Sequence, residues 1–226
     1  MKLAGLYELM SWMSPSYPVG AYTYSHGIEY AVEAGFVRDK DSLVEWVSDI
    51  VTYGSGHSDA ILFAETYRAI AGADLEKLRE VAELAYANRP TKELELETTA
   101  QGRAFLTITD SAFPAFALQQ LREVWNGPVA YPVAVGAAAA GKDIPLEPAL
   151  MAYLHGFVSN LVSAAVRIVP LGQTDGQKAI ASLSDKCAEE VQAALFATLE
   201  DLGTATLMVD WCSANHETQY TRLFRS

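Results

Sequence analysis

Apolar residues recur at steps of three and four along much of this 226-residue chain, and this spacing constrains its fold more than any other feature. Spacing of this kind places apolar side chains on one face of an α-helix. The clearest example lies between Gly176 and Gly203, with apolar positions at Ile180, Leu183, Cys187, Val191, Leu195, Leu199 and Leu202. Because Thr174 or Asp175 can cap its start, we expect one helix over this stretch.

The same spacing predicts three further helices. One follows Asp39 or Asp41, a second opens at Asp59 and runs to Ile70, and a third follows Asp74. The only short run with β character, Ala104–Thr109, lacks a hairpin partner across a tight turn. The chain also contains 35 alanines, the strongest helix former. These observations predict an all-α fold over residues 1–226.

Nine prolines divide this helical chain, and each stands where a helix would plausibly begin or end. We therefore expect roughly eight to ten helices joined by short loops, in one domain with an extended C-terminal tail. Two uncharged stretches, Leu9–Ile28 and Pro148–Val166, are long enough to be mistaken for membrane spans. Because prolines or polar residues interrupt them, buried protein segments are the better interpretation.

The formal net charge of −12 limits the classes of partner. A body this acidic offers no basic face for nucleic acid or anionic lipid, so neither partner is expected. Two cysteines in a chain of this length favour a reducing compartment, and we expect a cytoplasmic protein.

Motifs for catalysis are weak throughout the sequence. Gly136–Asp143 is one residue from a phosphate-binding loop, but Asp143 replaces the required Ser or Thr. Glu93, Glu95 and Glu97 are expected to alternate around a helix, and isolated histidines are more often structural. We predict no catalytic residue, no metal ligand and no cofactor.

Two alternative functions remain open. Cys212 and His216 could place two ligands on one helical turn, with Glu217 as a base, so a small all-α metallohydrolase is the first alternative. A generic interaction module is the second.

The last fourteen residues, 213–226, differ from the rest of the chain in charge and composition. They carry two arginines and one glutamate, together with aromatic and apolar residues typical of interface centres. This composition fits either a frayed terminus or a docking peptide. The residues concerned are Tyr220, Arg222, Leu223, Phe224 and Arg225.

Four blocks of sequence resemble those of the urease accessory protein F family, UreF, and appear in the family's order. They are Ser14–Glu29, Tyr131–Gly136, Asn160–Gln177 and His216–Ser226. Departures from the family pattern include His26, where glutamine is common, and an atypical segment at Asn88–Thr91.

The resemblance implies an all-α, non-enzymatic, cytoplasmic homodimer that acts in nickel insertion into apo-urease. It also implies binding to a scaffold subunit, UreD or UreH, and recruitment of the GTPase UreG. Stiff bends and hydrogen-bonding side chains in these blocks suit specific docking. The predicted partner-binding residues are Pro18, Gly20, Tyr24, Ser25, Glu29, Arg167, Pro170, Gly172, Gln173, Gly176, Gln177, Tyr220, Arg222, Leu223, Phe224 and Arg225. In the tail, we expect Leu223 and Phe224 to bury on the scaffold subunit while Arg222 and Arg225 pair with its acids.

Overall fold

Helices form every regular element of the chain, which confirms the all-α prediction. The computed structural model describes residues 1–226. The twelve α-helices are α1 (Leu3–Trp12), α2 (Ile28–Glu33), α3 (Lys40–Tyr53), α4 (Ser55–Ala71), α5 (Leu75–Ala87), α6 (Lys92–Ala112), α7 (Phe116–Val124), α8 (Tyr131–Gly141), α9 (Leu146–Val166), α10 (Gln173–Ser182), α11 (Ser184–Ala194) and α12 (Leu207–His216). Short 3-10 turns cover Ala21–Thr23 and Leu199–Asp201. Ten of the twelve helices have ten or more residues, in agreement with the expected number, and α2 and α7 are shorter, with six and nine residues.

Local capping sets the start of two predicted helices. The Asp39 carboxylate accepts a hydrogen bond from the Ser42 amide at 2.9 Å at the start of α3. Asp74 accepts one from the Lys77 amide at 2.9 Å at the start of α5. The third predicted start was wrong: α4 begins at Ser55, and Asp59 lies inside it, where its carboxylate bonds to distant side chains instead of capping.

The single helix predicted between Gly176 and Gly203 is divided into α10 and α11 and ends at Ala194. The Ser182 hydroxyl donates to the Lys178 carbonyl at 2.8 Å, a contact that often bends helices. At the far end, the Arg68 guanidinium donates to the Ala194, Leu195 and Ala197 carbonyls at 2.6–3.0 Å. Because Arg68 satisfies these carbonyls from α4, the chain can leave the helix there.

Close packing of small residues builds the centre of the fold around α4, α8 and α9. The alanines of α8 are buried against α4, where a Cβ on Gly136 would lie 2.8 Å from the Phe63 carbonyl oxygen. A Cβ on Gly102 would lie 2.0 Å from the Val129 carbonyl oxygen. These helices touch through backbone because the residues between them are small. The loop-like motif near Gly136 is thus a packed helix and cannot wrap a phosphate.

Helix α9 is the one element long and apolar enough to cross a membrane by length and composition. Half of its most apolar window is buried inside the fold, where α9 packs against α3, α4, α8, α10 and α11. The packing makes α9 a core helix, as expected for Pro148–Val166. Residues Leu9–Ile28, the other uncharged stretch, contain part of α1, irregular loop and a 3-10 turn.

The segment after α9 differs in detail from its prediction. We expected Thr174 or Asp175 to cap the helix after α9; instead α9 ends at Val166, and Gly172 precedes the first turn of α10. Asp175 lies within that turn and pairs with Lys178 at 3.1 Å. A Cβ on Gly176 would lie 2.9 Å from Val166 Cγ2, so this glycine lets α10 pack closely against the end of α9.

Candidate partner-binding surface

The C-terminal segment 217–226 lies folded back on the chain. It rests on residues of the loop before α2, the first turns of α6 and the ends of α9 and α12. We call the supporting residues the tail platform: Ser25, Glu29, Glu93, Glu97, Arg167 and His216. Three predicted segments therefore meet here: Ser14–Glu29, the middle of Asn160–Gln177 at Arg167, and the tail.

Glu29 is the main polar anchor of the tail. One carboxylate oxygen accepts from the Leu223 amide at 2.7 Å, and the other accepts from the Phe224 amide at 3.0 Å. The second oxygen also lies 2.9 Å from His216 Nε2. Glu29 is 9% exposed, so these contacts replace the hydrogen bonds to water that the carboxylate loses on burial.

His216 joins the tail platform to α6. Its side chain is fully buried, and its Nδ1 lies 2.6 Å from Glu93 Oε2 while its Nε2 faces Glu29. Its two ring nitrogens therefore link Glu93 on α6 to Glu29 on α2. Arg222 also contacts Glu93, with 3.1 Å between its Nη1 and Glu93 Oε1.

The chain end itself is held by Ser25 and Glu97. The amide and hydroxyl of Ser25 both donate to the main-chain oxygen of Ser226, at 2.7 and 2.6 Å. The Ser226 hydroxyl donates to Glu97 Oε2 at 2.9 Å, and Glu97 Oε1 lies 3.3 Å from His26 Nδ1. His26 and Glu97 also line a cavity of about 160 Å³ inside the fold. A series of polar contacts through Ser226, Glu97 and His26 thus connects the tail with this cavity.

Arg167 finds its partners within the chain. Its guanidinium lies over the Tyr22 ring at 3.7 Å and over the Phe224 ring at 4.2 Å, and it donates to the Tyr22 carbonyl at 2.7 Å. Cations are attracted to aromatic faces at these distances. Gly20, with φ of 78°, makes the left-handed turn just before this loop, a conformation that glycine adopts most readily.

The predicted site residues divide into buried and exposed groups. Tyr24, Ser25, Glu29, Gly176 and Phe224 are buried, and Arg167 is partly buried. The exposed group consists of Pro18, Gly20, Pro170, Gly172, Gln173, Gln177, Tyr220, Arg222, Leu223 and Arg225. Phe224 and Arg222 differ from expectation, because Phe224 is buried against its own chain and Arg222 pairs with the chain's own Glu93.

Glu93 and Glu97 are the platform residues that the sequence interpretation missed. We expected these acids to point apart around their helix, but they lie four residues apart on one face of α6 and are 6% and 5% exposed. Only Glu95 points elsewhere and is partly exposed. The four-residue spacing of Glu93 and Glu97 in the sequence was the signal that could have placed them on one face.

The two candidate metal ligands, Cys212 and His216, and the candidate base Glu217 do not form a metal site. His216 has both nitrogens engaged with glutamates, and exposed Glu217 pairs with Lys92 at 3.6 Å. Burial raises the pKa of Cys212 to about 12, which keeps its thiol protonated and a poor ligand. No group of three or more His, Cys, Asp or Glu side chains is arranged to hold a metal ion. The geometry thus disfavours the metallohydrolase alternative.

A second buried ion pair supports the fold beside the platform. Arg89 contacts Asp59 at 2.9 Å, with both side chains less than a tenth exposed, and the Tyr153 hydroxyl donates to Asp59 at 2.7 Å. Burial, aided by the Asp59 carboxylate, raises the pKa of Tyr153 well above its ordinary value. These residues tie α4 to α9 and to the segment before α6.

Comparison of this sequence with known proteins shows the family to which it is similar. The UreF family model matches residues 37–184. A urease accessory protein UreF from Rhodopseudomonas palustris is 49% identical over 99% of this chain and 94% of its own length. The protein of the same name from Methylobacterium radiotolerans is 50% identical over 97% of this chain and 96% of its own length.

Proposed function

This chain belongs to the UreF family of urease accessory proteins, and from this membership we propose that it matures urease by holding partner proteins together. In this proposal a cytoplasmic homodimer binds the UreD or UreH scaffold subunit and recruits the GTPase UreG. The assembly then delivers nickel, as cargo, to apo-urease. The chain contributes binding surfaces and makes or breaks no bond.

The observation that carries this proposal is the two-sided arrangement of the tail. Phe224 and Ser226 face the platform, whereas Tyr220 is fully exposed and Leu223 is 63% exposed. Arg225 is exposed as well, although its amide donates to the Thr23 carbonyl at 2.8 Å. An exposed aromatic, an exposed leucine and an arginine on a fixed backbone are typical anchors of a protein interface.

Fixing the tail beforehand lowers the entropy that binding must otherwise remove. In the proposed mode, the inward residues position the tail and the outward residues contact the scaffold subunit. This mode revises the expectation for the tail: Phe224 positions the segment, and Leu223, Tyr220 and Arg225 supply the contacts.

The segment at the start of α10 is the proposed surface for the GTPase or the second protomer. Pro170, Gly172, Gln173 and Gln177 are exposed there. Arg167 lies at one end of this segment and stacks on Phe224, so the two surfaces adjoin. Arg167→Asp is expected to lower both the dimer mass in light scattering and the capture of the GTPase, and unchanged values for both would contradict this assignment.

The experiment that tests the scaffold contact is truncation after Gln219. Removing all of residues 213–226 would also remove the end of α12 and His216, whose loss leaves two buried glutamates without their partner. Truncation after Gln219 keeps both the end of α12 and His216. We expect it to abolish capture of the purified scaffold subunit while the far-ultraviolet circular dichroism remains unchanged. Undiminished capture would refute the proposed contact.

A further inference from the structure

Helices α2, α3 and α12 leave a second surface of large apolar side chains away from the tail platform. We call it the aromatic patch and define it by Phe36, Trp46, Leu207, Met208 and Trp211. Leu207 is 79% exposed, and Met208, Trp211 and Phe36 are 40–46% exposed. Trp211 stands four residues after Leu207 and three after Met208, so both side chains lie beside it on α12.

Ring contacts hold the aromatic patch in a fixed shape. The Phe36 ring stacks on Trp46 at 5.9 Å and meets the edge of Trp211 at 6.2 Å. Tyr30 supports Trp211 from below at 5.3 Å. Side chains already ordered in this way lose little freedom when a partner covers them.

The size and composition of the aromatic patch indicate a protein interface. Its five side chains expose on the order of 400 Å² of apolar surface, within the range of the largest apolar patches on monomers, which are often functional. Tryptophan, phenylalanine and methionine are enriched at interface centres. Trp46 is partly buried, and the other four side chains are exposed.

The charges around the aromatic patch restrict its occupant. Glu45 and Asp49 stand one residue before and three residues after Trp46 on α3, and Glu33 stands three residues before Phe36; all three are exposed and take part in no ion pair within the chain. Arg38 is the flanking cation without an acidic partner, since Lys40 pairs with Asp41. A second copy of this chain, itself of net charge −12, would bring the same acidic rim. A basic partner is complementary.

We propose that the aromatic patch binds a basic amphipathic helix of another protein. The apolar face of that helix covers Leu207, Met208 and Trp211, and its lysines or arginines pair with Glu45 and Asp49. This binding mode uses none of the residues that define the tail platform. It predicts association that weakens as the salt concentration rises.

The test uses a short amphipathic helix of leucine and lysine as the probe, with a glutamate-for-lysine peptide as its counterpart. Binding is followed by the indole nuclear magnetic resonance signals of the four tryptophans. We expect the lysine peptide to shift Trp46 and Trp211 while Trp12 and Trp125 stay unchanged. The glutamate peptide should shift none of them.

Variants separate specific docking from general attraction to an acidic protein. We expect Leu207→Ser with Met208→Ser to weaken binding about tenfold, and Glu45→Lys with Asp49→Lys to weaken it by about the same factor. The matched control is Glu76→Lys with Glu200→Lys, two exposed acids elsewhere that should change binding less than about twofold.

Three results would overturn the proposal. Equal binding of the two peptides would remove its charge basis. Equal weakening by the control pair would show that the acidic rim has no special part. A dimer in light scattering that Leu207→Ser with Met208→Ser converts to monomer would show that a second copy occupies the patch.

Discussion

Glu29→Gln tests whether one buried carboxylate holds the tail on its platform. The carboxylate accepts the Leu223 amide on one oxygen and the Phe224 amide on the other, and the second oxygen also lies 2.9 Å from His216 Nε2. Glutamine retains a single oxygen, so at least one donor faces the side-chain NH₂ whichever way the amide turns. Because hydrogen bonds to charged groups contribute about 1.5–3 kcal/mol each, we expect a loss of about 2–4 kcal/mol in tail docking.

This loss of docking free energy predicts faster hydrogen exchange at the tail amides. Local opening should become roughly 30-fold to 700-fold more frequent, since each 1.4 kcal/mol corresponds to a factor of about ten. Native-state hydrogen exchange at Leu223 and Phe224 measures this directly. Glu33→Gln is the matched control, because Glu33 also lies on α2 but accepts only from the partly buried Gln219 side chain and from no tail amide. Rates that rise less than about threefold in Glu29→Gln would refute the reasoning.

Three further predictions concern stability and reactivity. The hydrogen bond to Glu190 raises the pKa of His57 despite its partial burial. Protonated His57 therefore stabilises the fold fully below about pH 6.5, and this contribution is lost as the pH rises through the raised pKa. In urea denaturation from about pH 6 to about pH 9, the free energy of unfolding of His57→Gln should fall less than that of the native chain. Asp59→Ala should cost about 3–5 kcal/mol in the same assay because it leaves Arg89 buried and unpaired, and Asp59→Leu with Arg89→Met should recover part of that loss. Both buried cysteines, with pKa values raised to about 11 and about 12, should react with a thiol reagent at neutral pH only after unfolding; fast reaction of the native chain would contradict their burial.

Sequence predicted those features of the fold that depend on neighbouring residues. Asp39 and Asp74 act on amides three residues away, so their sequence context is sufficient to assign them as helix caps. Asp59 has the same local appearance, but its partners Arg89 and Tyr153 are 30 and 94 residues distant. A cap and a buried anchor cannot be told apart without the tertiary contact.

The break after Ala194 has the same explanation. The apolar spacing continues through it because Leu199 and Leu202 still pack against the core, whereas the carbonyls that end α11 are satisfied by Arg68 from another helix. Spacing records which side chains face the core. It does not record where distant donors let a helix stop.

For the candidate site, sequence identified the segments but not the direction in which the tail faces. The loop before α2 and Arg167 were identified through their resemblance to family blocks, and the tail through both that resemblance and its own charge and composition. That Phe224 turns inward depends on the Glu29 carboxylate, 195 residues away. The contribution of Glu93 and Glu97 was readable in principle, because a spacing of four residues places two side chains on one helical face.

The nickel content of urease purified from cells tests the central claim most directly, that the outward face of the tail serves urease maturation. The cells would carry either the native chain or Tyr220→Ala, Leu223→Ser and Arg225→Ala together, which leave every platform residue in place. The matched control changes an exposed aromatic, leucine and arginine elsewhere: Phe196→Ala, Leu75→Ser and Arg103→Ala. We predict that the tail variant yields urease as poor in nickel as cells lacking the protein, while the control yields fully loaded urease. Full nickel loading with the tail variant, expressed and folded at native levels, would contradict the account.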